Sequence, residues 1–201
     1  MDGRDDSVRE RLDKQFAFIR EIDKEKQIGR QTYLADASRK ETDAEHAWHM
    51  AMMTLILSEY AREKIDVGRT MALCLAHDLI EIYAGDTYAY DTKGNEDKAE
   101  RERAAADKLF ALLPEDQAAA IRGLWEEFEE RLTPEAKFAD TMDKIQPLLL
   151  NHVSGGRSWK EHGVLREQPY KRNEKTHEGS QILWDYAEEF FLRPHVGKEL
   201  K

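Results

Sequence analysis

Hydrophobic residues recur at helical spacing along nearly the whole chain, and no segment shows the strict alternation that is typical of a half-buried strand. This pattern predicts six or seven helices and an all-α fold. The first helix covers about residues 7–22 and places Phe16, Ile19 and Ile22 on one side. A polar link over residues 23–41 follows it, and the pattern predicts no strand there.

Two predicted helices are apolar on nearly every side, so we expect them to lie at the centre of the fold. The first begins at Thr42 and Glu45, which have the spacing of a capping box, and continues as "AEHAWHMAMMTLILSEYA". The second, "VGRTMALCLAHDLIEIYA", follows a candidate capping residue, Asp66, and ends at Gly85.

The second half of the chain has the pattern of surface helices around another long one. Thr133 and Pro134 form a start signal, with Pro at the first helical position, and Pro147 predicts a kink or an irregular turn farther along. The helices are predicted at about 96–113, 115–130, 134–152 and 177–192, with a long polar loop over 154–174.

Length and charge limit the classes of protein that fit. The 201 residues suit a single domain, with its core over about residues 10–192, and no interdomain linker is visible. A net charge of −10 argues against binding nucleic acid strands or anionic membranes, although a local cationic site could still take a small phosphate compound. We expect no membrane span. The lone Cys74 and a charged N-terminus without an apolar leader predict a cytoplasmic protein.

Polar residues stand out within the apolar helices. His46 lies in the first central helix, His77 and Asp78 lie in the second, and Asp140 lies in the helix after Thr133. Each has an ordinary explanation when taken alone: His46 could be a hydrogen-bonded core histidine, and Asp140 could pair with Lys144. Burying such carboxylates together without a cation would be costly, so the set indicates a divalent metal site.

The order of these residues resembles the metal-dependent phosphohydrolases of the HD-domain superfamily. The blocks "AEHAWHMA", "AHDLIEIYAGDT" and "KFADTMDKIQPLL" are similar to that family, and specifically to the branch of bacterial 5′-deoxynucleotidases and HD-domain-containing protein 2. The resemblance implies a helical bundle, hydrolysis of a phosphate ester, and one divalent metal ion (Mn, Co, Mg, Zn or Fe). It assigns the metal to four ligands: His46, His77, Asp78 and Asp140.

Two neighbouring residues could compete for these positions. His49 lies three residues after His46, and Asp143 lies three residues after Asp140. The family blocks favour His46 and Asp140, and they leave Asp143 to pair with Lys144 or with a neighbouring helix.

The same resemblance suggests two acidic residues for catalysis. Glu81 lies four residues after His77 and shares its helical side, from which it could pass a proton to the leaving oxygen. Asp86 follows the Gly85 break and could orient the attacking water or help to hold a second cation. A helix-end acid and a turn aspartate are the corresponding structural explanations.

Substrate contacts are predicted from the polar link. Arg30 is the candidate for binding phosphate oxygens, and a solvated loop arginine is the alternative. Relatives often follow this arginine with a tryptophan that packs the sugar, whereas this chain continues Gln31-Thr32-Tyr33. Tyr33 is the candidate replacement for that tryptophan.

The resulting hypothesis is a 5′-deoxynucleotidase that hydrolyses deoxyribonucleoside 5′-monophosphates and forms a homodimer. One alternative keeps the site but changes the substrate to another nucleotide or a phosphodiester. Another is a non-catalytic HD-domain regulator that only binds nucleotides. The presence of all six candidate ligands and acids favours the enzyme.

Overall fold

Helices dominate the computed structural model, which describes residues 3–90 and 97–201. The predicted start of a helix at residue 96 lies outside the described residues. Within the described part of the chain, no helix is both long and apolar enough to cross a membrane. The α-helices are α1 Gly3–Ile22, α2 Asp43–Leu57, α3 Val67–Ala76, α4 Glu81–Ala84, α5 Lys98–Phe110, α6 Glu115–Glu130, α7 Pro134–Val153, α8 Arg157–His162, α9 Glu167–Arg172 and α10 Gln181–Ala187.

The predicted start signals are confirmed for three central helices. At α2, the Thr42 hydroxyl accepts from the backbone N–H of Glu45, and the Glu45 carboxylate accepts from the backbone N–H of Thr42. Asp66 accepts from the backbone of α3 in the same way, and Thr133 accepts from the backbone of α7. These side chains satisfy N–H groups that have no partner inside the helix.

The core lies where α2, α3 and α7 pack together. Met50 of α2, Leu73 of α3, and Phe138 and Met142 of α7 are fully buried in one cluster. A second cluster lies under α1, α5 and α6 and includes Phe18, Leu109 and Trp125. The two apolar helices of the sequence pattern are therefore central, as predicted.

The polar link contains a small antiparallel hairpin, contrary to the prediction. Its strands are β1 Gly29–Tyr33 and β2 Lys40–Thr42, with Gly29 opposite Thr42 and Tyr33 opposite Lys40. Strands of five and three residues are too short to produce a clear alternation. The hairpin matters because β1 carries Arg30 and β2 leads directly into α2.

Two further predictions about local structure were wrong. Helix α3 ends at Ala76, so His77 and Asp78 lie in the turn before α4. Pro147, for which a kink or an irregular turn was predicted, lies inside α7, which continues to Val153. The predicted loop over 154–174 contains α8 and α9, and the helical segments are therefore more numerous than six or seven.

Candidate active site

Two histidines and one aspartate meet in the centre of the molecule. His46 of α2, His77 after α3, and Asp143 of α7 are all buried, and each offers a ligand atom within 4.8 Å of the others. The imidazole rings of His46 and His77 have centroids 5.5 Å apart, and His46 Nε2 lies 3.2 Å from Asp143 Oδ1. Imidazole nitrogen and carboxylate oxygen are ordinary ligands of divalent transition metals.

The aspartate in this cluster is Asp143, whereas the family resemblance assigned the fourth metal ligand to Asp140. Asp140 Oδ1 instead accepts from Arg131 at 3.1 Å and from Lys144 at 3.0 Å. Three residues of a helix rotate a side chain by about 60° relative to a complete turn, and α7 is oriented so that Asp143 faces the histidines. Asp140 therefore belongs to the ion pairs beside the cluster.

The Nδ1 atom of each histidine has its own hydrogen-bond partner. His77 Nδ1 lies 2.8 Å from the backbone oxygen of Cys74, and His46 Nδ1 lies 3.0 Å from Gln146 Oε1. Since these oxygens accept the N–H of an Nδ1-protonated ring, the Nε2 atoms can offer lone pairs to the centre.

A second group of acids lies beside the first. Asp43, Asp78 and Glu81 are buried, and their carboxylate oxygens lie within 4.8 Å of one another. Arg30 lies among them: its Nη1 donates to Asp78 Oδ2 at 2.7 Å and to Asp43 Oδ1 at 3.1 Å. The sequence reasoning missed Asp43, whose only visible signal was its place in the first turn of α2.

Charge and burial shift the pKa values of these acids in both directions. Burial, reinforced by Asp78 and Asp43, raises the pKa of Glu81 well above its usual value. Burial also raises the pKa of Asp86. Burial would raise the pKa of Asp143 too, but the positive charges of Lys144 and Arg172 hold it well below its usual range. The acids thus differ in how readily each holds a proton.

The site has the polar atoms that a divalent cation needs. Within the described residues, His77 Nε2, Asp43 Oδ2 and Glu81 Oε2 are buried and have no hydrogen-bond partner. Leaving such atoms without a partner is costly, and a bound cation removes that cost. The donor set therefore fits a divalent metal ion.

A cavity of about 260 Å³ opens onto this group. Arg30, Glu81 and Asp86 line it, as the sequence reasoning requires for residues that act on a substrate. Cationic side chains that the sequence reasoning did not select also line it, namely Lys98, Arg131, Lys144 and Arg172. They explain how a chain with a net charge of −10 presents positive charge to an anion.

Tyr33 lies away from this cavity. Its hydroxyl donates to Glu161 at 2.7 Å, and the guanidinium of Arg157 lies 4.2 Å from the centre of its ring. The cavity wall next to Arg30 is formed by Gln31 and Thr32. Tyr33 thus contacts Glu161 and Arg157, and its role as a replacement for the sugar-packing tryptophan stays a prediction.

The comparison with protein families identifies this arrangement. The HD-domain family profile matches residues 22–184, which include His46, His77, Asp78 and Asp143. The chain belongs to the HD-domain family. The residues that could hold a metal lie on α2, on α7 and in the turn after α3.

Similar HD-domain proteins are known in sequence and in structure. The chain is 32% identical to 5′-deoxynucleotidase HDDC2 from Bos taurus and 30% identical to that from Homo sapiens, each over 66% of this chain. These matches span 63% and 64% of the two relatives. The crystal structure of a predicted metal-dependent phosphohydrolase from Magnetospirillum magnetotacticum MS-1 is 48% identical, with a TM-score of 0.87, and the match covers 94% of this chain and 98% of that one.

Proposed function

We propose that this HD-domain protein is a metal-dependent phosphohydrolase that acts on deoxyribonucleoside 5′-monophosphates. The observation that carries the proposal is the convergence of His46, His77 and Asp143 on one buried point beside a cavity with cationic side chains. The choice of a deoxynucleotide as the substrate rests on the relatives, which are named 5′-deoxynucleotidases.

We assign the metal to His46, His77, Asp78 and Asp143. Asp78 contributes an oxygen 2.9 Å from His77 Nε2, so it lies within reach of the same cation. This set keeps three of the four ligands that the resemblance implies and replaces Asp140 with Asp143. These residues would hold a divalent cation, which would supply Lewis acidity towards a phosphoryl oxygen and would lower the pKa of a bound water.

The surrounding residues take the other roles. Arg30 binds phosphate oxygens through its guanidinium, which lines the cavity and already bonds carboxylate oxygens. Glu81 protonates the departing 5′-oxygen, and Asp86 orients the attacking water from the cavity wall. Lys144 and Arg172 also line the cavity and add positive charge beside Asp143. Phosphoryl transfer depends on this kind of positioning and charge compensation.

A homodimer remains part of the proposal. Ile182, Tyr186 and Phe190 are 62%, 54% and 48% exposed along the C-terminal helical segment, which supports an apolar contact with a second copy. Light scattering coupled to size exclusion would test it, since a monomer at working concentration would contradict it. A cytoplasmic location likewise remains a prediction from the lone Cys74.

Phosphate release is the direct test of the proposed reaction. Full-length protein is stripped of metal, reloaded with Mn²⁺, Co²⁺, Mg²⁺ or Zn²⁺, and given matched ribo- and deoxyribonucleoside 5′-monophosphates. We expect release only with metal and chiefly from the deoxynucleotides. Equal release from both sugars would contradict the sugar preference alone. Absence of release with every metal would contradict the phosphohydrolase proposal.

The matched control is His177→Ala. His177 lies at the surface, and its Nδ1 lies 3.0 Å from the backbone oxygen of Glu174. His77→Ala should abolish metal-dependent release, whereas His177→Ala should retain it. The pair separates loss of the metal centre from the general cost of removing a histidine.

A further inference from the structure

A line of buried polar side chains runs from the metal centre into the core. Glu41 of β2, Gln146 of α7 and His46 of α2 are each at most 2% exposed. Gln146 Nε2 donates to Glu41 Oε2 at 2.8 Å, and Gln146 Oε1 lies 3.0 Å from His46 Nδ1. Since buried polar groups are costly unless they are paired, three of them in contact call for an explanation.

Glu41 determines the direction of these hydrogen bonds. Gln146 Nε2 can only donate, and it lies 2.8 Å from Glu41 Oε2, so the carboxyl oxygen of Glu41 accepts there. Glu41 Oε1 in turn lies 3.7 Å from Arg30 Nε, which can only donate. The amide oxygen of Gln146 is then left facing His46, and an amide oxygen can only accept. His46 Nδ1 must therefore carry the proton.

Nε2 of His46 is the nitrogen that is available to bind a metal ion. With the proton on Nδ1, a neutral His46 has a lone pair on Nε2, the atom that lies 3.2 Å from Asp143 Oδ1. A lone pair directed at a carboxylate oxygen is unfavourable unless a cation lies between or beside them. The orientation thus makes sense for a metal ligand.

The Nδ1 atom of His77 also faces an oxygen, but this oxygen belongs to the backbone. His77 Nδ1 is held by the backbone oxygen of Cys74, only three residues earlier in the chain. His46 lies in the first turns of α2, where the preceding backbone oxygens accept hydrogen bonds within the helix. Its partner must therefore come from another element, and Gln146 of α7 supplies it.

We propose that Gln146, anchored by Glu41, is a positioning residue that fixes the tautomer and orientation of His46 for metal binding. This inference rests on the proposed metal centre, but it does not depend on the identity of the substrate. Gln146 contacts neither the cation nor the phosphate ester, and it acts only through His46.

Glu41 has a second contact that makes Gln146 the better residue to change. Because Glu41 also approaches Arg30, a substitution of Glu41 would disturb phosphate binding and His46 together. Substitution of Gln146 removes the acceptor of His46 Nδ1 and leaves the ion pair between Arg30 and Glu41 in place.

The experiment uses Zn²⁺ alone as a diamagnetic probe with full-length protein. Zn²⁺ affinity is measured by competition with a chelator, and the His46 Nδ1 proton is followed by NMR in the Zn²⁺-loaded protein. The His46 signal is assigned from its absence in His46→Gln. In Gln146→Met, we expect Zn²⁺ affinity to fall about 10–100-fold and the Nδ1 proton to exchange with water faster than in the wild type.

Two further variants separate positioning from packing. Gln146→Glu keeps an oxygen that can accept from His46 Nδ1. One proton shared between the new carboxylate and Glu41 removes the repulsion between two negative charges. It should recover most of the lost affinity and the slow exchange. Thr141→Val is the matched control, because Thr141 is a fully buried polar residue of α7 whose hydroxyl bonds the backbone oxygens of Lys137 and Thr176. This variant should change neither the Zn²⁺ affinity nor the exchange rate of the His46 Nδ1 proton.

Several outcomes would overturn the inference. One is unchanged Zn²⁺ affinity or unchanged Nδ1 exchange in Gln146→Met. If that variant does not fold, equal damage in Gln146→Glu and Thr141→Val would assign Gln146 to packing alone. Coordination of Zn²⁺ by Nδ1 in the wild type would overturn the inference without any variant. Tight Zn²⁺ binding without phosphate release would contradict the proposed reaction and leave this inference standing.

Discussion

The polar centre of this protein has two halves that are built differently. The imidazole half contains His46, His77 and Asp143, and the outer nitrogen of each ring faces a neutral oxygen. The carboxylate half contains Asp43, Asp78 and Glu81 around the guanidinium of Arg30, and two of its buried oxygens have no hydrogen-bond partner among the described residues. The imidazole half is thus held in place by hydrogen bonds, whereas the carboxylate half brings three acidic side chains close together.

This difference indicates that the two halves have different functions. Neutral second partners leave each imidazole free to bind a cation without a competing charge. Burial and the neighbouring carboxylates raise the pKa values of Asp43 and Glu81, so protons are held there more readily, whereas His77 and Arg30 lower the pKa of Asp78. We infer that the imidazole half together with Asp78 determines whether metal binds, and that Asp43, Glu81 and Arg30 determine what happens to the substrate.

The largest expected effect comes from removing the charged ligand of the imidazole half. Asp143→Asn should lower phosphate release more than about 100-fold, because a metal contributes several kcal/mol of transition-state stabilisation. Metal content, measured by elemental analysis, should fall with it. Asp140→Asn is the control, since Asp140 is bonded to Arg131 and Lys144, and it should retain metal. The reverse result would restore Asp140 as the ligand.

The carboxylate half should respond differently when its one cation is removed. Arg30→Gln should reduce phosphate release about 10–100-fold, the value of one or two charge-assisted hydrogen bonds. Zn²⁺ affinity should not decrease, because the loss of positive charge beside Asp78 favours a cation. Arg39→Gln is the control on the same hairpin region, where Arg39 is exposed and paired with Glu45. A loss of metal in Arg30→Gln would remove the proposed division between the halves.

Metal should also stabilise the whole fold through the imidazole half. A cation that binds only the folded protein at 100 times its dissociation constant adds about 2.7 kcal/mol to the free energy of unfolding. We expect the melting temperature to rise with Zn²⁺ in the wild type and to remain constant in His46→Gln. A similar rise in both proteins would mean that the cation binds elsewhere.

The start of α2 serves both halves, because Asp43 and His46 lie in its first turns. Thr42→Ala removes one side of the capping box and should cost about 1 kcal/mol of unfolding free energy, measured by urea denaturation. Thr42→Ser keeps the hydroxyl and should cost less. Substantial loss of activity in Thr42→Ala at temperatures where it is folded would show that the cap positions the site as well.

The smallest effect is expected outside both halves, at Tyr33. Tyr33→Phe removes the hydrogen bond to Glu161, which should cost at most about 1 kcal/mol of stability. The ratio of deoxynucleotide to ribonucleotide hydrolysis should not change. A changed ratio would restore Tyr33 as a sugar contact, contrary to its position under Arg157.

Prediction from the sequence succeeded where the signal was local. The capping box at Thr42 and the cap at Asp66 depend on residues three positions apart, so the chain itself specifies them. The apolar sides of α2 and α3 predicted a central position, since such helices are stable only when they are covered. The polar residues in those helices were sufficient to predict a metal centre.

Prediction failed where two elements had to be placed relative to each other. Asp140 and Asp143 both lie on the inner part of α7, and the sequence does not state how the helix is rotated about its axis. The hairpin that carries Arg30 is stabilised by pairing between β1 and β2 rather than by a strong strand pattern. Gln146 looked like an ordinary polar residue until α7 was placed against α2.

The sequence by itself determined the all-α class, the helix starts and the kinds of atom available to a metal. It could do so because capping, hydrophobic periodicity and donor chemistry are properties of short segments. Only the tertiary structure decided that Asp143 faces the histidines, that Gln146 supports His46, and that Tyr33 lies away from the cavity. Those facts depend on distances between residues about 100 positions apart in the chain, and packing alone sets them.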